Sequence, residues 1–127
     1  MNRCAAWALA ALAFASTAAT AQVQRLFPPQ ALRGVLTGTA PPDVLLNGSA
    51  ARLAPGARIR NDENRFEVIG TLSGRKLVVH YTTDPGGQLL DIWILTAAEM
   101  ANEPWPTSTA QAQAWTFDPI SQKWTKP

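Results

Sequence analysis

The stretch FEVIGTLSGRKLVVHYTTDPGGQLLDIWILT, residues 66–96, decides the fold. It reads as three strands joined by tight turns at Ser73-Gly74 and Pro85-Gly86. Pairing Leu72 with Arg75 across the first turn sets Val68 against Val79 and Phe66 against Tyr81. Pairing Asp84 with Gly87 across the second sets Tyr81 against Leu90, Val79 against Ile92 and Leu77 against Ile94. Two-residue and four-residue loops give this register, whereas a three-residue loop with a bulge would shift it. On this register Phe66, Val68, Leu77, Val79, Tyr81, Leu90, Ile92 and Ile94 share one face, so turn chemistry and alternation agree on an antiparallel meander.

The opposite face carries an apolar row, Ile69, Val78 and Trp93, flanked by Leu89 and Leu95. A simple two-layer sheet would leave that row wet, so the C-terminal segment or a partner is expected to cover it. The same register aligns Glu67, His80 and Asp91 as cross-strand neighbours. His80 is the sole histidine, and flanking carboxylates would raise its pKa and hold one tautomer, as acid–base chemistry needs. Two other readings stand beside that one. The three residues form a charge row contributing about 0.2–1 kcal/mol per favourable pair, or they ligate a metal weakly, although transition-metal sites usually supply more histidine or cysteine. No serine helps an enzyme reading: Ser49, Ser73 and Ser121 fall in turns, Ser108 in a linker, and none sits in a Gly-x-Ser-x-Gly motif. Gly86-Gly87 opens no helix and is no phosphate cradle. No cofactor is expected.

Working outward, the chain begins with Arg3, an apolar run over residues 4–14 and small residues ending in Ala19-Thr20-Ala21. That order predicts a secretory signal peptide over residues 1–21. The apolar run is too short for a stable bilayer span, so the expectation is an exported protein, periplasmic or secreted, with no membrane span. Cys4 leaves with the signal, and the remaining ~105 residues form one small domain that must be stabilised without disulfides. Losing Arg3 takes the formal net charge from +2 to +1, which together with export argues against a nucleic-acid partner. Arg52, Arg58, Arg60 and Arg65 make either a solvated polar edge or an anion-contacting patch.

Residues 22–30, with Phe27-Pro28-Pro29, read as an extended arm. A first strand follows over residues 32–39. Asn47-Gly48 between apolar stretches is the strongest hairpin signal in the chain and sets Leu46 against Ser49 and Val44 against Ala51. Pro55-Gly56 reads as a turn, residues 57–60 as a short strand with Ile59 inward, and residues 61–64 as a polar loop without the spacing or glycine of a calcium loop. Thr96 and Glu99 have capping-box spacing for a helix from Ala97 to about Asn102, completing a β domain over residues 31–103. The tail, residues 104–127, holds a polar linker at 107–114 and a candidate hairpin in which Asp118-Pro119 turns the chain and Trp115 faces Trp124. Over about a dozen residues that hairpin resembles the aromatic, Asp-Pro and tryptophan pattern of a kelch propeller blade, but a blade needs a repeat of about 50, and the likeness is one of turn chemistry.

Trp93, Trp105, Trp115 and Trp124 crowd the last third of the chain. Clustered tryptophan suits a binding surface for an envelope protein or a glycan; alternatively Trp115, Phe117 and Trp124 fold back onto the Ile69, Val78, Trp93 row. The expected fold is all-β, a small partly open barrel or curved antiparallel sheet of about six strands, SH3-like or OB-like, with one short helix near the C terminus. The expected function is that of a non-catalytic accessory or interaction module, the alternative being weak metal-binding or hydrolytic activity at Glu67, His80 and Asp91.

Overall fold

The computed structural model describes residues 24–127; the predicted signal peptide lies outside them. In chain order the elements are β1 (Leu32–Gly38), β2 (Asp43–Leu46), β3 (Ser49–Arg60), β4 (Phe66–Glu67), a 3-10 helix (Ile69–Leu72), β5 (Lys76–Thr83), β6 (Leu89–Ile94), α1 (Ala97–Met100), α2 (Thr109–Ala114), β7 (Thr116–Asp118) and β8 (Lys123–Thr125). Strands pair in the order β2-β1-β5-β6-β3, and β2 pairs with β3 to close a five-stranded barrel. All neighbours are antiparallel except β3 and β6. A parallel pair cannot arise in a simple meander, so of the two expected architectures the barrel follows the OB-like order. Leu36, Val44, Leu53, Ile59, Leu72, Val79, Tyr81, Leu89, Ile92 and Ile94 fill it.

The Asn47-Gly48 hairpin forms in the expected register, Leu46 opposite Ser49 and Val44 opposite Ala51. Both turn residues have positive φ, 53° and 80°, the requirement that selects Asn-Gly in a type I′ turn. Pro55-Gly56, by contrast, does not end a strand. Gly56 at φ 79° kinks one continuous twelve-residue strand, and the pairing of β3 with β6 shifts between Leu53 and Arg58. A bulge of this kind lets one strand coil from β2 on one side to β6 on the other as the barrel closes.

The meander is corrected in its first third. Phe66 and Glu67 pair with Arg60 and Ile59 at the end of β3, and β1 occupies the place beside β5 that was expected for them. Phe66 and Val68 are therefore 64% and 75% exposed instead of core residues. The chain then turns through the 3-10 helix, which drops Leu72 into the barrel. Gly38 makes this possible, because Leu72 passes directly over it: a Cβ built on Gly38 would lie 1.8 Å from the Leu72 carbonyl oxygen. Gly38 also bonds Arg75 and Gly74 through its backbone, at 3.0 and 2.9 Å. Gly38→Ala is expected to cost about 2–3 kcal/mol through this overpacking, measured as the loss of unfolding free energy in urea; an unchanged midpoint would contradict the close approach.

The second turn is the three-residue kind, Pro85-Gly86-Gly87. The Asp84 and Gln88 backbones bond across it at 2.8 Å, Gly87 donates to the Asp84 carbonyl at 3.0 Å, and the Asp84 side chain accepts the Gln88 N–H at 2.9 Å. Gly87 supplies the positive φ, 80°. The turn moves the register by one, to Thr83 opposite Leu89, and a bulge between Tyr81 and Thr83 moves it by one more, to Tyr81 opposite Ile92 and Val79 opposite Ile94. A shift of two preserves the faces, so the inward set survives, except that the bulge buries Leu89 and leaves Leu90 half-buried.

A second layer covers the outer face of β1, β5 and β6. Phe27, Ala31, Leu95, Trp105 and Trp124 form its buried centre, with Val78, Trp93, Trp115 and Phe117 around them. Ile69 packs on the barrel core instead. Residues 107–114 are no loose linker, since Ser108 caps helix α2 through the Gln111 N–H. The last hairpin pairs Phe117, and not Trp115, with Trp124, because the Asp118 side chain closes a longer turn by accepting from the Ile120 N–H and the Ser121 hydroxyl.

Candidate functional site

His80 lies on the outer face of β5, between Arg33 on β1 and Trp93 on β6. Its expected carboxylate neighbours are elsewhere. Glu67 sits on β4, 3.6 Å from Arg75 and within hydrogen-bonding reach of Thr71. Asp91 accepts from Thr82 and faces Arg58 at 3.9 Å. The Glu67, His80, Asp91 row therefore does not form, for two reasons already described: β4 leaves the meander, and the three-residue turn together with the bulge between Tyr81 and Thr83 puts Trp93 opposite His80. Among the described residues no three His, Cys, Asp or Glu side chains are grouped to hold a metal.

What surrounds His80 instead is cationic and aromatic. Its Nε2 is 3.2 Å from both Nε and Nη2 of Arg33. A guanidinium only donates, so Nε2 must carry the lone pair and the neutral ring must hold its proton on Nδ1. Burial, then the charges of Arg33 and Arg25, push the His80 pKa down to about 2, opposite to the expected direction. With the Nε2 lone pair committed to Arg33 and no carboxylate beside the ring, His80 lacks the acid–base arrangement the sequence suggested. Nδ1 is buried without a hydrogen-bond partner among the described residues, a loss of about 1–3 kcal/mol for such a donor. The ring stacks on Trp105 at 4.1 Å between centroids, while Phe27 stands perpendicular to it at 4.4 Å.

Two arginines bind the layers together. Arg33 donates to the Glu99 and Met100 carbonyls at the end of α1, at 2.8 and 3.2 Å, a natural place for a cation. Burial lowers its pKa, against the raising influence of Glu103 and Glu99. Arg25, buried, grips both carboxylate oxygens of Glu99 and donates to the Asn61 and Ile94 carbonyls at 2.8 and 2.7 Å. Glu99 also closes the expected capping box with Thr96, so one carboxylate fixes both a helix start and the N-terminal arm. The Thr96–Glu99 spacing was a readable signal; a lone arginine in an extended arm gives none.

The tryptophans are core residues before they are surface. Trp105 and Trp124 are buried and Trp93 and Trp115 half-buried. Trp105 also donates its indole N–H to the Ala31 carbonyl at 2.9 Å. The arginines between residues 52 and 65 are engaged one by one: Arg52 with Asp43 at 3.8 Å, Arg58 with Asp91 at 3.9 Å, Arg65 with Glu63 at 3.8 Å and Arg60 over the Phe66 ring at 4.8 Å. They make a solvated polar edge and not an anion patch.

Two concavities stand out among the described residues. A cleft of about 830 Å³ opens between the arm, the loop at residues 62–64, the start of α1 and the turn of the last hairpin, with Phe27 and His80 among its lining residues. A groove of about 560 Å³ crosses the kink of β3, lined by Pro41 and Pro42 of the β1–β2 turn, Leu53, Ala54 and Pro55 of β3, and Ile69, with Arg52 and Gln88 as its polar members. Comparison with protein-family models, curated proteins and solved structures found no match, so function has to be read from this chain's own residues.

Proposed function

We propose that the protein is an exported, non-catalytic binding module of the periplasm or cell envelope, and that it holds a glycan in the groove across the β3 kink. The signal-peptide pattern of residues 1–21 supports export. The observation that carries the binding reading is the position of the groove. It lies between the β1–β2 turn, the kinked β3 and Gln88 at the end of the β5–β6 turn. Five-stranded barrels of the OB order use the corresponding loops and strand face for oligonucleotides and oligosaccharides. This is an argument from fold-level analogy, and export selects the saccharide over the nucleic acid. The lining suits that choice: proline and aliphatic surface for the apolar face of a sugar ring, and two polar side chains to orient it.

The test is affinity capture from an envelope extract with cross-linking, on wild-type bait and on an Arg52→Ala, Gln88→Ala bait. Both positions lie at the groove rim and outside the barrel core, so the variant should fold normally. A glycan fraction enriched on wild type and reduced about tenfold on the variant, a difference of ~1.4 kcal/mol in binding, is the expected outcome. Captured material made only of protein would move the reading to a protein partner, and equal captures on the two baits would remove the groove from consideration.

A further inference from the structure

We infer that the larger cleft is a second, independent site, built for the carboxylate of a small ligand with His80 Nδ1–H as its donor. The first ground is hydrogen-bond accounting. His80 is 1% exposed, its Nε2 is committed to Arg33, and its Nδ1–H has no partner among the described residues. Native structures rarely leave such a donor unused without a reason. Arg33 is not among the residues lining the cleft whereas His80 is, so the ring edge left for the cleft carries Nδ1.

The second ground is charge. Arg25 is neutralised by Glu99, whereas the Arg33 guanidinium bonds His80 and two carbonyl oxygens and no carboxylate among the described residues, Glu103 and Glu99 acting on it from farther off. A guanidinium donating to one nitrogen of an imidazole polarises the N–H on the other, because hydrogen bonds in series strengthen one another. The acceptor that gains most from a polarised donor backed by a cation is an anion. Lys123 is a further cation of the lining, which also holds the carboxylates of Asp62 and Glu63 on the 62–64 loop. The third ground is shape. Ligand sites commonly measure about 300–1,000 Å³, and this cleft falls in that range, with Phe27, Ala97 and Ala98 as apolar surface in a lining that is otherwise polar. Nδ1 is sheltered from solvent, so the carboxylate reaches it by turning the Phe27 side chain, which flanks the imidazole and lines the same cleft.

A free organic acid and the C-terminal carboxylate of a peptide share this chemistry, and the experiment separates them. Because the chain has one histidine, the ring N–H of ¹⁵N-labelled protein is an unambiguous reporter. It is titrated with benzoate, with benzamide, and with N-acetyl-Ala-Ala-Phe carrying a free or amidated C terminus. The expected result is a saturable downfield shift of the His80 N–H with at least one carboxylate probe, Kd near or below ~1 mM, and at least about tenfold weaker binding of its amide. Ala98→Trp, which fills the cleft from an exposed helical position, should abolish the shift without unfolding the barrel. No shift at about 10 mM of either carboxylate, equal shifts from acid and amide, or a shift that persists in Ala98→Trp would each overturn the proposal. None of these outcomes depends on the groove across β3.

Discussion

Denaturant unfolding is expected to become easier by about 1.4 kcal/mol for each pH unit below 6.5, beginning well above the range in which carboxylates titrate. The cause is His80. Its folded pKa lies near 2 against 6.5 for the free side chain, through burial first and the charges of Arg33 and Arg25 second. As pH falls through 6.5 the unfolded chain takes up a proton that the folded chain refuses, so the unfolded state is favoured. The contribution is complete above pH 6.5 and declines continuously toward the folded pKa. By pH 4.5 the loss should reach about 2–3 kcal/mol, a large part of the stability of a small domain. Urea titrations at pH 7.5, 6.5, 5.5 and 4.5 measure it, with His80→Phe as the reference that keeps an aromatic ring against Trp105 and removes the titration. Flat wild-type stability between pH 7 and 5, or the same slope in His80→Phe, would mean that the ring is protonated in the folded protein and the Arg33 contact is wrong.

The elements legible in the sequence are those whose cause is local. Asn47-Gly48 imposes positive φ on adjacent residues and so fixes its own register, and Thr96 with Glu99 carries both halves of a capping box within four residues. Alternation in residues 66–96 correctly sorted Leu77, Val79, Tyr81, Ile92 and Ile94 to one face, because face assignment survives a shift of two. Alternation does not specify a partner, however. Phe66 and Glu67 have strand spacing and do pair, but with Arg60 and Ile59 on the preceding strand. The parallel β3–β6 contact joins segments some thirty residues apart in sequence, and no turn announces it.

The failure at the candidate site has the same origin. The charge row depended on one turn, and Asp84-Pro85-Gly86-Gly87-Gln88 contains residues compatible with loops of two, three or four. The Asp84 carboxylate and the left-handed Gly87 select three, which together with the bulge between Tyr81 and Thr83 exchanges Asp91 for Trp93 opposite His80. That single exchange turns an acid–base arrangement into a packed aromatic one. Arg33 and Phe27, which set the properties of His80, come from segments more than forty residues upstream and carry no motif of their own. The need for a cover over Val78 and Trp93 was readable as exposed apolar area. That the N-terminal arm would supply part of it was not.

Trp105→Ala should therefore cost about 3–5 kcal/mol, the range for removing a buried indole, and should do so without involving any ligand. Trp105 touches the arm, β5 and the last hairpin. It stacks on His80, meets Phe27, Phe117 and Trp124 edge to face at 5.7 to 6.0 Å between centroids, carries the Arg33 guanidinium 5.7 Å from its ring, and donates to the Ala31 carbonyl. Truncation leaves a cavity between the arm and the last hairpin and exposes the Ala31 acceptor. The damage should be uneven. Amides of the second layer, such as Phe27 N–H bonded to Gln122, should lose hydrogen-exchange protection first, while the β1–β5 ladder around Val79 keeps most of its own until global unfolding. A tryptophan serving as a ligand platform would give the reverse pattern: stability nearly unchanged, exchange unaltered, and capture of the partner lost. A stability loss below about 1 kcal/mol with intact arm protection would return Trp105 to the binding surface and remove it from the core.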